Sequence, residues 1–262
     1  MTTITETPIP MDVIDMYAAA YGEETAVGYL SHAVNTIETF LDGTGGEFVS
    51  HVHSSVDRFH AIFSVGGEER VITVVHGVDS FRITELVGTF MKGMHTQRLG
   101  PRTWTYPTYG VVCSEDAEMT PWLDTASDDD LASMFRSIDR VNELSPWFDD
   151  WLNSQVRWDE PETVTMARDT ILHVDGFYDT ESFVTSHGNL SSGTVIDDGF
   201  GGPHLIDPHP MYGPPEWDVV SVLRATGRDL GEVTRFTANM DMAKAIYDYQ
   251  ESRDAFLYGA FR

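Results

Sequence analysis

The stretch SHGNLSSGTVIDDGFGGPHLIDPHPMYGPPEWDV, Ser186–Val219, decides the fold of this chain. It opens with a polar loop at His187-Gly188-Asn189 and continues through a short turn and a β-hairpin. The second strand of the hairpin ends at Leu205-Ile206-Asp207-Pro208. A further loop leads into a helix at Trp217-Asp218. Two polar clusters separated by a hairpin can bring several oxygen atoms to one point, an arrangement that suits a hard cation such as magnesium.

Six residues of this stretch keep a recognisable order and spacing, namely His187, Gly188, Asp207, Gly213, Pro215 and Asp218. They resemble the H-G-D-x-x-x-x-N, I-D and G-x-P-x-x-D pattern of the aminoglycoside phosphotransferase and choline kinase branch of the protein-kinase-like fold. The resemblance implies a two-lobed α+β fold, with leading helices and a small antiparallel-sheet lobe over residues 1–118. A larger, mainly helical lobe over 119–262 would carry the catalytic loop. The resemblance also implies Mg-ATP as the cofactor.

The sequence departs from that pattern at two positions that carry chemistry. Asn189 occupies the place of the catalytic aspartate, and Thr194 occupies the place of a magnesium-binding asparagine. The resemblance implies Asn189 and His187 as the residues at the catalytic positions. Asparagine can orient a hydroxyl group but cannot take its proton at neutral pH, and losing a general base typically costs about 10²- to 10⁴-fold in rate. Asp207 and Thr194 are the magnesium ligands that the resemblance implies.

Apolar residues at helical spacing predict one or two helices over Met11–Phe40. Alternating strands over 47–53, 58–65 and 70–76, with a tight turn at Gly66-Gly67, predict an antiparallel meander, and 80–96 predicts a helix. In the resembling family the first hairpin tip covers the nucleotide phosphates, which would assign Ser54 and Ser55 to that role. The tip has no glycine, so a plain polar turn is an equal alternative.

The third strand of that meander should carry a lysine that pairs with the nucleotide phosphates and with a glutamate on the following helix. Thr73 stands at the lysine position, and Glu85 stands where the partner glutamate would be. The first lysine of the chain is Lys92, so the missing charge does not depend on how the strand is aligned. Without it, a β-phosphate lacks its fixed cation.

The middle of the chain is less specific. Trp104–Cys113 predicts one strand, and 118–123 resembles the hinge whose backbone would hold an adenine ring, or is an ordinary strand followed by a proline turn. Asp128-Asp129-Asp130 predicts the start of a helix to about residue 144, because carboxylates offset the helix dipole. The segment 145–160 is rich in tryptophan and aspartate. It suits a pocket for a cationic acceptor, or supplies aromatic residues to a helical core. Further helices are predicted over 163–177, 219–224, 233–237 and 241–262.

The chain has a formal net charge of −26 over 262 residues, with only Lys92 and Lys244 as lysines. This charge argues against nucleic-acid binding and against anionic membranes. It is compatible with adaptation to high salt, a basic protein partner, imitation of DNA, or simply a solvated acidic surface. The N-terminus lacks a secretory signal, no apolar run is long enough to span a membrane, and the single Cys113 forms no intramolecular disulfide, so we expect a soluble, cytoplasmic protein.

Two functional hypotheses follow. Asn189, Thr194 and Thr73 together favour a pseudokinase, a kinase-like fold with impaired or absent phosphotransfer that acts by binding a basic protein or a cationic small molecule. The alternative is an active ATP-dependent phosphotransferase acting on a hydroxyl group of a cationic acceptor such as an aminoglycoside. It is favoured by the retained His187, Asp207 and Asp218.

Overall fold

The computed structural model describes residues 9–52, 58–76, 80–115, 120–141, 145–154, 160–174 and 182–258. The chain forms two compact units, 1–92 with 101–117, and 93–100 with 118–262. The helices are α1 (Met11–Tyr21), α2 (Glu23–Thr44), α3 (Ser80–Thr96), α4 (Asp128–Asp139), α5 (Phe148–Ser154), α6 (Glu162–Leu172), α7 (Glu216–Ala225) and α8 (Met240–Tyr258). The strands are β1 (Glu47–His51), β2 (Arg58–Val65), β3 (Glu68–Val75), β4 (Thr103–Tyr106), β5 (Val111–Glu115), β6 (Val184–Ser186), β7 (Val195–Asp197), β8 (Pro203–Leu205) and β9 (Met211–Gly213).

The first unit is built on a five-stranded antiparallel sheet in the order β1-β2-β3-β5-β4. The predicted meander and the helix over 80–96 are confirmed, and the hairpin between β2 and β3 turns at Gly66 and Gly67, both with positive φ. The prediction of one strand over Trp104–Cys113 is wrong. A 3₁₀ turn at Pro107–Tyr109 reverses the chain, so β4 and β5 pair with each other instead.

One face of this sheet packs against the N-terminal helices. The ring of Phe40 on α2 lies 5.5 Å from that of Phe63 on β2 and 4.9 Å from that of Tyr106 on β4, centroid to centroid. All these contacts are edge-to-face, the arrangement that aromatic quadrupoles favour. The helical prediction for 11–40 is therefore confirmed as α1 and α2, of which α2 contacts β2 and β3 and α1 packs against α2.

The second unit is mainly helical around one buried apolar cluster. Helix α4 begins at Ser127 with a capping box, in which the Ser127 hydroxyl and the Asp130 carboxylate satisfy each other's backbone N–H groups. The aspartate triplet is thus a helix start, as predicted. Residues of α5, α6, α7 and α8 contribute to the cluster, and Trp217 packs edge-to-face on Trp151 at 4.8 Å between ring centroids.

The tryptophans of the 145–160 segment divide between core and surface. Trp151 is buried in the helical cluster and stacks on Phe148. Trp147 is 48% exposed and lies against the rings of Phe183 and Tyr212. Trp158 lies outside the described residues. The core reading is therefore right for Trp151, while Trp147 offers an aromatic surface.

Within the described part of the chain, no helix combines the length and the apolarity that crossing a bilayer requires.

Candidate active site

The polar loop and the strand-end aspartate are held side by side by backbone pairing in the second unit. Strand β6, just before the loop, pairs with β9, and β7, just after it, pairs with β8. Two further bonds extend these pairings inward, from His209 N to His187 O (2.8 Å) and from Ile206 N to Thr194 O (3.0 Å). The loop 187–194 is therefore tied at both ends to the segment 206–209.

This pairing sets Asn189 against Asp207. The Asn189 side-chain amide donates to the backbone carbonyl of Asp207 (3.0 Å) and to its carboxylate Oδ2 (3.2 Å). Asp207 has a φ of 53°, a left-handed conformation that few residues other than glycine adopt, although aspartate tolerates it better than most. The amide nitrogen of Asn189 is thus directed at Asp207.

Thr194 closes the loop on itself. Its hydroxyl donates to the carbonyl of Asn189 and accepts a hydrogen bond from the backbone N–H of Ser191 (2.9 Å). The hydroxyl proton is therefore used within the loop, and at most one lone pair is left over for another partner. Thr194 fixes the backbone that presents Asn189.

Helix α7 clamps the start of the loop. The Asp218 carboxylate accepts hydrogen bonds from the backbone N–H groups of His187 (2.7 Å) and Gly188 (2.9 Å), and the Trp217 indole donates to the Gly188 carbonyl (3.2 Å). Burial raises the pKa of Asp218 to about 6, and the two backbone hydrogen bonds act in the opposite direction. Asp218 was matched in the sequence only as part of a motif, and its role as a clamp emerges from the structure.

The first two loop residues, His187 and Gly188, hold the loop backbone in place. The His187 side chain is fully buried, and its backbone carries the bonds to Asp218 and His209. Gly188 has a φ of 78°, and a Cβ at this position would overlap the carbonyl of His209, so glycine is required. A catalytic role for His187 itself stays a prediction.

The remaining predicted site residues belong to the first unit. Thr73 is buried on β3, where its hydroxyl lies 3.0 Å from Nδ1 of His60 on β2. Glu85 is exposed on α3. Ser54 and Ser55 lie outside the described residues. The lysine position thus holds a neutral threonine bonded to a histidine.

The predicted hinge is described from residue 120 onward, within the second unit. There Asp197 N donates to Thr120 O (2.8 Å) and Trp122 N donates to Val195 O (3.2 Å), so this segment pairs with β7. The Trp122 indole also donates to Gly201 O (3.0 Å). The segment is an added strand-like edge of the β7–β8 hairpin, and its contact with an adenine ring stays a prediction.

The side chains around Asp207 offer few ligands for a magnesium ion. Asp207 supplies one carboxylate, which already receives the Asn189 amide, and the Thr194 hydroxyl is engaged in the loop. No cluster of three or more His, Cys, Asp or Glu side chains suited to a metal occurs among the described residues. Magnesium in proteins is usually held by one or two carboxylates together with water and substrate phosphates, so these side chains would supply only part of its coordination. Ligation by Asp207 and Thr194 stays a prediction.

The chain combines an antiparallel five-stranded sheet, a helix between β3 and β4, and a mainly helical unit whose polar loop is clamped by an aspartate on α7. These features match the protein-kinase-like fold. Solved structures agree. The choline kinase of Streptococcus pneumoniae superposes with a TM-score of 0.60 at 12% identity, covering 87% of this chain and 90% of that one. A type I macrolide 2′-phosphotransferase gives 0.56 at 12% identity, covering 86% and 91%.

A spectinomycin phosphotransferase, solved with ADP and spectinomycin, superposes with a TM-score of 0.53 at 11% identity, with 82% of each chain covered. No protein-family model matches the chain, and no curated protein sequence matches it. At identities this low, the superpositions establish the fold alone. This is the fold that the resemblance of residues 186–219 had predicted.

Proposed function

We propose that this protein is a pseudokinase, a kinase-like fold that binds a ligand or partner and does not transfer phosphate. The observation that carries the proposal is the hydrogen bonding of the Asn189 amide to Asp207. In a phosphotransferase site, the residue at this position takes a proton from the acceptor hydroxyl. Asn189 has no basic group to do so.

The contact also gives the Asp207 carboxylate a neutral hydrogen-bond donor as its neighbour. An aspartate at position 189 would place a second carboxylate beside that of Asp207, and the two like charges would repel unless a proton or a cation lay between them. The neutral amide instead bonds to Asp207 directly, at 3.2 Å from Nδ2 to Oδ2. This hydrogen bond engages the carboxylate that the resemblance implies as a magnesium ligand, which supports the proposal.

The ligand class that the fold favours is a nucleotide, since the spectinomycin phosphotransferase of the same fold was solved with ADP. A basic protein or a cationic small molecule is the partner favoured by the formal charge of −26. Under this proposal the protein binds a nucleotide without turnover and acts as a scaffold.

Phosphate transfer is tested by ADP release from Mg-ATP with choline, spectinomycin, a macrolide or an aminoglycoside as the acceptor. Asp207→Ala is the matched control, because it removes the carboxylate on which any metal-dependent transfer would depend. We expect the wild-type protein to release ADP no faster than Asp207→Ala. Acceptor-dependent release that disappears in Asp207→Ala would overturn the proposal.

A second candidate, an active phosphotransferase for a cationic acceptor, is favoured by the half-exposed Trp147. Its ring lies 5.1 Å from that of Tyr212, and the exposed carboxylates of Asp149 and Asp150 begin the next helix. An aromatic face beside carboxylates suits an organic cation. Under this reading, Trp147→Ala would raise the acceptor KM and leave acceptor-independent ADP release unchanged.

A further inference from the structure

A cavity of about 460 Å³ lies within the first unit, lined by residues of helix α2, of the end of strand β3 and of the start of helix α3. Its lining combines three aromatic rings, those of Tyr29, His32 and His76, with the hydroxyl groups of Thr25 and Ser80. No lysine, arginine, aspartate or glutamate is among its described lining residues. A cavity of this size, with aromatic walls and a few polar groups, is typical of a small-molecule site.

The aromatic rings of this cavity are held in place by one another and by helix α1. His76 is buried, and its Nε2 atom lies 3.0 Å from the hydroxyl oxygen of Tyr17 on α1. The two rings meet edge to face, at 5.4 Å between centroids. The ring of Tyr29 lies 5.1 Å from that of His76 and 4.8 Å from that of Tyr21, centroid to centroid. Because these contacts fix the rings, the aromatic wall is formed before any ligand arrives.

Gly28 leaves the cavity open on its helical side. A glycine in a helix interior is destabilising relative to alanine, because it loses more conformational freedom on folding. At Gly28 packing does not require this loss, since an added Cβ would meet no atom within 4 Å. At Gly88 of α3, by contrast, an added Cβ would overlap the side chain of Thr105. The open space at Gly28 is therefore available to a ligand, and it is kept at a cost in helix stability.

The charges near the cavity favour a cation. Glu24 is exposed and stands four residues before Gly28, which places it one turn away on the same side of α2. The chain as a whole carries a formal charge of −26. Aromatic rings attract a cation through their quadrupoles, and hydroxyl oxygens accept hydrogen bonds from N–H groups. An anion would find neither lysine nor arginine among the described lining residues.

We infer that this cavity of the first unit binds a small organic cation, which is a protonated amine or a quaternary ammonium group. The rings of Tyr29, His32 and His76 supply its contacts, and the space at Gly28 admits its bulk. The site is separate from Trp147, which belongs to the second unit. The inference does not depend on whether the protein transfers phosphate.

NMR titration of the full chain with tetramethylammonium chloride measures the binding. The ring protons of His32 and His76, assigned from the signals lost in His32→Gln and His76→Gln, report occupancy of the cavity. We expect saturable binding in the millimolar range. The neutral probe tert-butanol, which has a similar shape, should bind at least about tenfold more weakly, because it lacks the charge that the rings attract.

Tyr29 is the position at which the contact with the rings is tested. Tyr29→Leu keeps an apolar side chain and loses the ring, so it should weaken tetramethylammonium binding by about 5- to 30-fold. Tyr29→Phe is the matched control, because it keeps the ring and loses only the hydroxyl group. It should bind within about threefold of the wild-type protein.

Gly28→Leu separates a ligand site from a merely structural feature. Its side chain enters the open space, so it should abolish binding and at the same time raise Tm by about 1–3 °C through better helix propensity. Asn35→Leu is the matched control, since it adds the same side chain at an exposed position about two turns further along α2 that does not line the cavity. It should leave the binding unchanged.

The inference is overturned if tetramethylammonium does not bind saturably, if tert-butanol binds as tightly, or if inorganic phosphate binds at the His32 and His76 reporters instead. It is also overturned if folded Tyr29→Leu or Gly28→Leu binds as the wild-type protein does, or if Asn35→Leu loses as much affinity as Gly28→Leu. Loss of binding in Trp147→Ala alone would assign the cation to the second unit, with the same consequence. Circular dichroism and thermal unfolding confirm the fold of each variant, and Gly28→Leu decides the matter if Tyr29→Leu does not fold.

Discussion

Replacing Asn189 by aspartate tests whether the hydrogen bond between Asn189 and Asp207 keeps a metal ion from binding at Asp207. In Asn189→Asp a carboxylate oxygen replaces the amide nitrogen, which lies 3.2 Å from Asp207 Oδ2. Two unit charges at that separation repel by roughly 1 kcal/mol in water and roughly 5 kcal/mol at an effective dielectric constant of 20. Both residues are half-buried. We therefore expect a loss of about 2–4 kcal/mol, including the lost hydrogen bond.

The assay is thermal unfolding in EDTA, followed by circular dichroism. For a chain of this size a loss of that order lowers Tm by about 5–10 °C. Asn189→Ala is the control, because it removes the amide without adding a charge and should cost only about 1–2 kcal/mol. The difference in Tm between Asn189→Asp and Asn189→Ala then measures the repulsion between the carboxylates at positions 189 and 207.

Magnesium completes the test. A divalent cation placed between the two carboxylates of Asn189→Asp should restore much of the lost Tm, while the wild-type protein, whose site is closed by the amide, should respond little. The reasoning is refuted if Asn189→Asp unfolds in EDTA at the same temperature as the Ala variant. It is also refuted if magnesium stabilises the wild-type protein as strongly as the variant.

Two further predictions concern the loop clamp. Burial raises the pKa of Asp218 to about 6 in the folded protein, above its unfolded value of roughly 3.9. The folded state therefore holds an extra proton between these values, and this group's contribution to stability falls as pH rises from about 4 to 6. Relative to Asp218→Asn, the wild-type free energy of unfolding should decrease by about 2 kcal/mol between pH 4 and pH 6. An equal difference between the two proteins at both pH values, measured by urea unfolding, would contradict this. Gly188→Ala should destabilise the protein by about 2–3 kcal/mol, because of its φ of 78° and the overlap with His209 O. A Cβ added at Gly193 would have Ser191 Oγ as its nearest neighbour, at 3.8 Å, so Gly193→Ala should cost well under half of that. Equal losses for the two variants would show that the loop tolerates a Cβ at 188.

Local sequence patterns correctly predicted several secondary-structure elements. The helical spacing over 11–40, the turn at Gly66-Gly67 and the aspartate triplet at 128–130 each specify their structure through neighbouring residues. The prediction failed at 104–113, where β-forming residues hid a reversal. Two short strands and one long strand have similar composition there, and only their pairing with each other separates the two arrangements.

By itself the sequence determined the chemistry of single positions. Asn189 cannot act as a base, Thr73 carries no charge, and the chain has no lysine before Lys92, whatever the fold. The motif over 186–219 also determined the fold, since its loop, hairpin and helix start stand at fixed spacing.

Only the tertiary structure decided which groups meet. The contact of Asn189 with Asp207 depends on the pairing of β6 with β9 and of β7 with β8. Such pairings join residues distant in the chain, so no local pattern encodes them.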